Sequence, residues 1–472
     1  MKECKTYPYR FLARVVIEAK TPLIIGSGIK NIKTDAMINR DVNGMPFIPG
    51  TTIAGLLRHS LYEDKRNQLM GYQSETNGVG SMLIVSEGKI LDSNGNVIDG
   101  LYDISTLDND TRKFLQLPIR QHAKINHQGV TVSGGKFDEE VVLKGTRFCF
   151  ELEMLSEDSD KECDFKDLLN TINSETFRIG GGSRSGLGSI DIILCKYKKL
   201  DFSKEGDFRS YLAKSSSLSK EWSGYEEYSF KKNEDVDESE WIEYKLELHP
   251  EDFLFFGSGY GNGEADMTFV NESYIEWRDG KGTIKEQKKA LLIPASSVKG
   301  AVAHRTAYYY NKNNGVFADM LKEGDSIENH VGTKNKAVLA LFGSEGEKSD
   351  EDKTKTVHKK RGNVLFSDVI KERNKSDKEK ILNHVAIDRF TGGAKNGALF
   401  SEETLYAKEE EIEIQIMVNK SAFTQDDEKI RLAFEKALIN ICKGMLPLGG
   451  GVNRGNGIFY GKLYKKGEMI YE

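Results

Sequence analysis

Apolar residues recur along the chain with two different periods, in the same order in both halves. Residues 10–19 are mostly apolar and predict a strand, and residues 244–248 alternate between apolar and polar side chains and predict another. Apolar residues at helical spacing mark one face at 53–61, 165–172 and 428–442. The pattern therefore predicts an α+β fold, with a strand and helices in each half.

Four short motifs are written twice in the same order. A Gly-Ser-Gly loop is followed by an aspartate, then by Ile-Pro before a helical pattern, and finally by three consecutive glycines near an arginine. The first copies begin at Gly26, Asp35, Pro49 and Gly180, and the second at Gly257, Asp266, Pro294 and Gly449. Ordered repetition over this length indicates a duplicated domain. We predict a first domain at 1–200, a connection at 201–240 and a second domain at 241–472.

Hydroxyl side chains stand at the start of both helical patterns, directly after Ile-Pro. Thr51 or Thr52 is the predicted N-cap of the first helix, and Ser296 and Ser297 occupy the matching positions. The free N–H groups and positive dipole end of such a helix form an anion site. Repetition beside a glycine-rich loop favours phosphate, and an ordinary capped helix is the alternative.

A basic, glycine-containing segment lies in the middle of each half, at 119–140 and 384–403. Each segment ends in an acidic pair, Glu139-Glu140 and Glu402-Glu403, and is followed by a predicted strand. We predict that each forms a long exposed hairpin.

Composition and known motifs exclude several classes of protein. The net charge of −6 argues only weakly against nucleic acid, because binding depends on where Lys and Arg cluster. The 5 scattered cysteines indicate free thiols in a reducing compartment, and no apolar run predicts a membrane span or secretory signal, so we expect a cytoplasmic protein. Neither a Walker A loop nor a G-x-G-x-x-G fingerprint is present, which removes support for nucleotide hydrolysis and hydride transfer.

Together these motifs resemble the RAMP (repeat-associated mysterious protein) superfamily, most closely the backbone subunits of type III CRISPR effector complexes. The resemblance rests on the loop aspartate and Ile-Pro helix start, and on the closing glycine loops. It also rests on Leu-Phe-Gly at 341–343, Phe-Ser-Asp at 366–368 and Ile-Asp-Arg-Phe-Thr-Gly-Gly at 387–393. Two such units in one chain are similar to the tandem subunits of type III-D-like systems. The resemblance implies two ferredoxin-like (RRM-like) domains, each with a projecting hairpin called a thumb.

The resemblance also implies a function, namely binding of a CRISPR guide RNA and of other type III subunits, and metal-dependent cleavage of complementary target RNA. It makes Asp35 and Asp266 the candidate catalytic and metal-binding residues, with Mg²⁺ or Mn²⁺ as the metal. One carboxylate is adequate, because RNA supplies its own 2′-hydroxyl nucleophile and the cation takes water and phosphate oxygens as its other ligands. The candidate RNA-binding residues are Gly26, Ser27, Thr51, Thr52, Arg58, Arg184, Gly257, Ser258, Ser296, Ser297, Lys299, Arg389, Lys395 and Arg454.

Two alternatives remain open from the sequence. The first is a non-catalytic scaffold that only binds guide RNA. The second is a CRISPR RNA processing endoribonuclease, which would use a histidine, and His59 and His304 stand at matching positions. Of the two aspartates we expect the second to be the more active, because that half keeps Lys299 where the first has Ala54.

Overall fold

The computed structural model describes residues 6–30, 34–74, 77–220, 223–230, 240–322, 324–344, 359–423 and 428–472. These residues form two α+β halves, each around its own hydrophobic core. Among the described helices, none combines the length and apolar character that a membrane span requires.

The first half contains five helices and ten strands among the described residues. The helices are α1 (Gly50–Ser60), α2 (Glu63–Met70), α3 (Asn109–Arg112), α4 (Glu162–Ile172) and α5 (Glu205–Leu212). The strands are β1 (Tyr9–Ala19), β2 (Tyr72–Gln73), β3 (Gly78–Val79), β4 (Leu83–Val85), β5 (Lys89–Ile90), β6 (Ile119–Ile125), β7 (Thr131–Glu140), β8 (Arg147–Ser156), β9 (Ile190–Asp201) and β10 (Glu226–Glu227).

The described part of the second half contains three helices and fifteen strands. The helices are α6 (Ala295–Asn313), α7 (Lys336–Phe342) and α8 (Glu428–Cys442). The strands are β11 (Trp241–Pro250), β12 (Phe253–Leu254), β13 (Met267–Thr268), β14 (Tyr274–Arg278), β15 (Lys281–Lys285), β16 (Ala290–Ile293), β17 (Gly343–Ser344), β18 (Lys360–Arg361), β19 (Val364–Phe366), β20 (Val369–Glu372), β21 (Lys378–Ile387), β22 (Ala394–Tyr406), β23 (Ile412–Asn419), β24 (Phe459–Lys465) and β25 (Glu468–Tyr471).

The two main sheets have the same topology. The first runs β10-β9-β1-β8-β4 and the second runs β19-β23-β11-β24-β25, and the neighbouring strands are antiparallel. In chain order each core is strand, helix, strand, strand, helix, strand, with the first and third strands side by side in the centre. The predicted tandem ferredoxin-like fold is therefore confirmed.

The central strands of the two sheets differ in what covers their outer faces. Strand β11 alternates between buried and more exposed residues, whereas most of β1 is buried on both sides. The described part of 201–230 covers the first sheet: Leu218 packs on Val16 and Cys149, and Arg14 donates to the Lys220 carbonyl over 3.0 Å. Much of the segment predicted as a connection is thus packed on the first half.

Both predicted hairpins are present. The first, β6–β7, is called thumb 1, and the second, β21–β22, thumb 2. Thumb 1 lies against the second half, where His127 Nε2 is 3.9 Å from Glu328 Oε1 and Gln121 packs on Gly259. Thumb 2 carries Phe390 at its tip, 99% exposed. Thumb 1 therefore contacts the other half of the chain, while thumb 2 is packed on its own half at the base and exposed towards its tip.

A third hairpin, β14–β15, connects the two halves. The second copy of the repeat has a longer stretch between its aspartate and its helix, and this stretch contains β14 and β15. Ile275 N donates to the Lys144 carbonyl over 2.8 Å, and Trp277 Nε1 to the Gly145 carbonyl over 2.7 Å. The Arg147 guanidinium lies 3.9 Å from the centre of the Trp277 ring. The extra residues are an inter-domain contact.

Candidate nucleic-acid interface

The two candidate aspartates are held in the same way. Asp35 Oδ2 accepts a hydrogen bond from Asp138 N over 3.2 Å, and Asp266 Oδ2 accepts one from Ser401 N over 2.7 Å. Asp138 and Ser401 occupy the same place on the return strand of their thumbs, directly before the acidic pairs at 139–140 and 402–403. Both carboxylates are exposed at the base of a thumb. The repeat in sequence is thus a repeat in side-chain geometry.

The side chain next to the aspartate differs between the halves. Ser401 Oγ donates to Asp266 Oδ2 over 2.9 Å, and the backbone and hydroxyl bonds from Ser401 lower the pKa of Asp266. The first half has Asp138 at this position, and Asp138 Oδ1 is buried without a hydrogen-bond partner in the described chain. The second site is therefore stabilised as a carboxylate, while the first has another carboxyl group beside it.

A divalent cation fits these carboxylates only with help from outside the protein. Among the described residues, no group of three or more His, Cys, Asp or Glu side chains is placed to hold a metal ion. The backbone hydrogen bonds are accepted by Oδ2 of Asp35 and of Asp266, so Oδ1 is the oxygen suited to a hard cation. Single carboxylate ligation fits Mg²⁺, which keeps several waters and binds phosphate oxygens.

The predicted N-caps are wrong. Helix α1 begins at Gly50 and α6 at Ala295, so the cap positions are Pro49 and Pro294, and neither makes a side-chain capping bond. The hydroxyl residues Thr51, Thr52, Ser296 and Ser297 lie in the first turns instead. Proline is the reason, because a residue that cannot donate a backbone hydrogen bond is best tolerated at a helix start.

Helix α6 does have a cap, but it comes from elsewhere in the chain. Asp368 Oδ1 accepts a hydrogen bond from Ala295 N over 2.8 Å, and the Asp368 side chain is 1% exposed. A buried carboxylate therefore already faces the positive end of α6. The predicted phosphate site at this helix start is occupied in part by the protein itself.

The glycine-rich loops fold back onto the strand ends that precede the Gly-Ser-Gly loops. Gly181 N donates to Ile24 O and Gly450 N to Phe255 O, both over 2.7 Å. A side chain at Gly180 or Gly449 would collide with these carbonyls, at 2.1 and 2.4 Å from the missing Cβ. Both glycines also have positive φ angles, 89° and 94°. Close backbone approach thus explains the repeated glycines.

The Gly-Ser-Gly loops also have matching backbone contacts. Ser27 N donates to Met37 O and Ser258 N donates to Thr268 O, while Gly26 and Gly257 are exposed.

Basic side chains gather where the halves meet. Arg184 Nε donates to Gly362 O over 2.8 Å, and Lys299 Nζ lies 3.5 Å from Ser185 Oγ. Burial, and then the guanidinium groups of Arg361 and Arg178, lower the pKa of Arg184 to about 9. Like charges held together in this way favour an anion beside them. Arg184 and Lys299, predicted in different halves, are brought into one region.

The remaining candidates lie apart from that region. Arg58 Nη1 donates to the carbonyls of Met70 and Gly71, so its guanidinium is held by its own half. Arg454 pairs with the buried Glu402 and lies 5.6 Å from the centre of the Phe400 ring, at the base of thumb 2. Arg389 and Lys395 are exposed near the tip of thumb 2, and His59 and His304 are exposed on α1 and α6.

A sequence model of the RAMP superfamily matches residues 16–191 and, a second time, residues 279–460. The chain belongs to the RAMP superfamily. The two matches fall on the two ferredoxin-like halves, so this RAMP protein is a tandem of two family domains. Members of the superfamily generally act in CRISPR type III complexes, where they bind RNA together with other subunits. No curated protein matches the chain.

Sequence reasoning missed the residues that connect the sites. Asp138 and Ser401 stand directly before the repeated acidic pairs, and aligning the pairs would have found them. Arg120 and Glu272 form an ion pair where the two halves meet, and no local pattern shows that these two residues are in contact.

Proposed function

We propose that this RAMP protein is a backbone subunit of an RNA-guided type III CRISPR effector complex, with a type III-D-like tandem arrangement. It binds guide RNA across both halves and cleaves complementary target RNA at Asp35 and Asp266. The observation that carries the proposal is that both aspartates are anchored by the same backbone position of a thumb. Two copies of one arrangement, each exposed beside a protruding hairpin, are expected of a protein that cuts a long polymer at repeated positions.

Guide binding is supported by the charge at the seam. Arg184, Lys299 and Arg361 lie close together although the net charge of the chain is negative. Two further lysines, Lys359 and Lys360, directly precede Arg361 in the sequence. Contacts of this kind neutralise phosphates and carry no base information. The RNA backbone is therefore expected to cross from one half to the other here.

The proposed cleavage uses the nucleophile that RNA itself carries. The 2′-hydroxyl loses its proton to water as its oxygen bonds to the adjacent phosphorus, the bond from phosphorus to the 5′-oxygen breaks, and the 5′-oxygen takes up a proton from water. The products are a 2′,3′-cyclic phosphate and a 5′-hydroxyl. The thumb contributes orientation, because a displaced nucleotide can place the 2′-oxygen in line with the leaving oxygen. Asp35 and Asp266 would hold a divalent cation through Oδ1, and when bound this cation supplies charge neutralisation at the phosphate.

The test uses the assembled complex with guide and labelled complementary RNA, with Mg²⁺ or with a chelator. The proposal expects discrete fragments with Mg²⁺ and none with the chelator, and binding of the target in both conditions. Binding without cleavage in either condition would favour the scaffold alternative. That alternative has one observation in its favour: among the described residues, neither candidate site brings together three or more side chains that could hold a metal ion.

Guide binding has its own test. Charge reversal at Lys299 should weaken binding to all guides alike and reduce the dependence of affinity on salt concentration, because phosphate contacts release counterions. Charge reversal at Lys408 is the matched control, because Lys408 is exposed in the turn between β22 and β23 and is not a candidate RNA-binding residue. Loss of affinity for one guide sequence alone would contradict backbone recognition.

A further inference from the structure

A buried cluster of three charged side chains joins the two halves. Arg120 lies on the first strand of thumb 1. Its guanidinium donates two hydrogen bonds to the Glu272 carboxylate, one from Nε and one from Nη2, the latter over 3.0 Å. A third hydrogen bond runs from Arg120 Nη1 to Asp368 Oδ2. The three side chains are 8%, 2% and 1% exposed, and we call them the seam cluster. A guanidinium fork fixes orientation as well as distance, because its donors lie in one plane.

The seam cluster also reaches the first turn of α6 and the glycine loop of the first half. Asp368 accepts from Ala295 N through Oδ1 and donates from its own backbone N to Gly186 O over 3.1 Å. Arg178 approaches from the first half and donates to Ser367 Oγ over 2.8 Å. One aspartate therefore links thumb 1, a glycine loop and the helix that carries candidate RNA-binding residues.

Thumb 1 contacts both candidate aspartate loops. On its return strand, Asp138 N holds Asp35, and the next residue, Glu139, lies opposite Arg120 in the hairpin. The loop that leads to the second aspartate also rests on thumb 1, since Lys136 Nζ lies 5.6 Å from the centre of the Tyr260 ring. The position of thumb 1 is thus part of the geometry at both loops.

We infer that Arg120 is a positioning residue that holds the two aspartate loops at one fixed spacing. The inference rests on the proposed function, in which that spacing becomes the distance between two cuts in the target. Breaking a buried ion pair leaves an uncompensated charge, so arrangements that keep the cluster intact are strongly favoured. Without Arg120, the nearby contacts that remain between the halves include the Arg178–Ser367 and Asp368 N–Gly186 O hydrogen bonds, which hold the glycine loop rather than thumb 1, so the halves can shift against each other.

Two variants at Arg120 and one matched control test this. Arg120→Met keeps the length and removes the charge, and Arg120→Lys keeps the charge without the fork. The control is Leu382→Met, because Leu382 lies opposite Glu402 in thumb 2, where Arg120 lies opposite Glu139 in thumb 1. Each is measured in the full chain with spin labels attached bio-orthogonally at Leu101 and Leu432, which are 82% and 41% exposed on the two halves.

The wild type and Leu382→Met are expected to give one narrow distance distribution by pulsed electron resonance. Arg120→Met should broaden it, with Arg120→Lys between the two. In the assembled complex, Arg120→Met should spread the cuts over neighbouring nucleotides and slow them about tenfold to hundredfold, since a displacement of about 1 Å costs a factor of this size.

A distribution that stays narrow in Arg120→Met overturns the inference, whatever happens to cleavage. If the wild-type complex does not cut while Arg120→Met broadens the distribution, the proposed catalytic function fails and the positioning role stands. Should Arg120→Met not fold, the triple variant Arg120→Met, Glu272→Gln, Asp368→Asn removes the uncompensated charge. A narrow distribution in that variant would equally overturn the inference.

Discussion

The two halves of this RAMP protein share a fold but differ at the start of the helix that follows Ile-Pro. At the start of α6, the buried Asp368 caps the first residue. The matching acid of the first half is Glu87, which is 53% exposed, paired with Lys89, and makes no contact with α1 among the described bonds. The anion site predicted at the helix start is therefore filled by a carboxylate of the protein in the second half, whereas the matching acid of the first half is paired with Lys89 instead.

The thumbs differ in the same sense. Thumb 1 is tied to the second half through Arg120, whereas the matching position of thumb 2 is Leu382 and its tip residue Phe390 is 99% exposed. The position that forms an ion pair with the other half in thumb 1 is occupied in thumb 2 by an uncharged residue, which cannot form this contact. The two copies of the hairpin therefore have different surroundings: thumb 1 forms a contact between the halves, and thumb 2 has an exposed tip.

The largest expected effect comes from removing the acid at the start of helix α6. Asp368→Ala should lower the free energy of unfolding by about 2–4 kcal/mol, because it removes the cap of α6 and one buried partner of Arg120, which keeps its pair with Glu272. Glu87→Ala, at the matching exposed position, should change it by less than about 0.5 kcal/mol. Chemical denaturation of both variants measures the difference, and equal losses would show that the two acids have the same role.

The second prediction concerns the candidate cleavage sites. Asp266→Ala should reduce one set of target fragments about a hundredfold or more and leave target affinity nearly unchanged, as expected for a residue that acts in the transition state. Asp35→Ala should remove a different set, offset along the target. A fragment ladder for each single variant and for the double variant decides the matter. Three ladders that match the wild type would exclude both aspartates from catalysis.

The third prediction sharpens the comparison of the glycine loops. Gly186 and Gly455 hold matching positions with positive φ angles of 112° and 94°. A Cβ at Gly186 would lie 2.1 Å from Asp368 Oδ1, but at Gly455 it meets nothing within 4 Å. Gly186→Ala should therefore cost about 1–3 kcal/mol more than Gly455→Ala, as overpacking does. Thermal unfolding of the pair checks this, and a smaller loss for Gly186→Ala would contradict the packed seam.

The smallest effect is a shift in pH dependence. Two bonds from Ser401 lower the pKa of Asp266, and Ser401→Ala removes the hydroxyl while keeping the backbone donor. The pKa of Asp266 should then rise, so the acidic limb of cleavage at this site should move to higher pH. Cleavage assigned to Asp35 in the same reaction is the internal reference. A shift to lower pH, or an equal shift at both sites, would rule out the hydroxyl as the cause.

Much of the fold and part of the candidate site were predictable from local pattern. Apolar periods and the ordered repeat predicted two α+β domains, because alternation and helical spacing follow from the geometry of each element. The ferredoxin-like topology was implied by the resemblance to the RAMP superfamily. The same repeat aligned Asp35 with Asp266, and the structure holds both at equivalent places on a thumb. The helix caps were mistaken because proline precedes each helix directly.

Tertiary structure alone decided how the two copies differ. Arg120 and Asp368 are 248 residues apart, and nothing in either local sequence shows that they meet in a buried contact. Whether an acid such as Asp368 or Glu87 caps a helix or faces solvent depends on which surface covers it, and that surface comes from the other half. The sequence by itself determined two similar domains, because local residue patterns specify local structure. Only the packing of the halves decided that thumb 1 forms a buried contact between them while the tip of thumb 2 stays exposed. The reason is that burial and charge pairing depend on contacts between residues far apart in the chain.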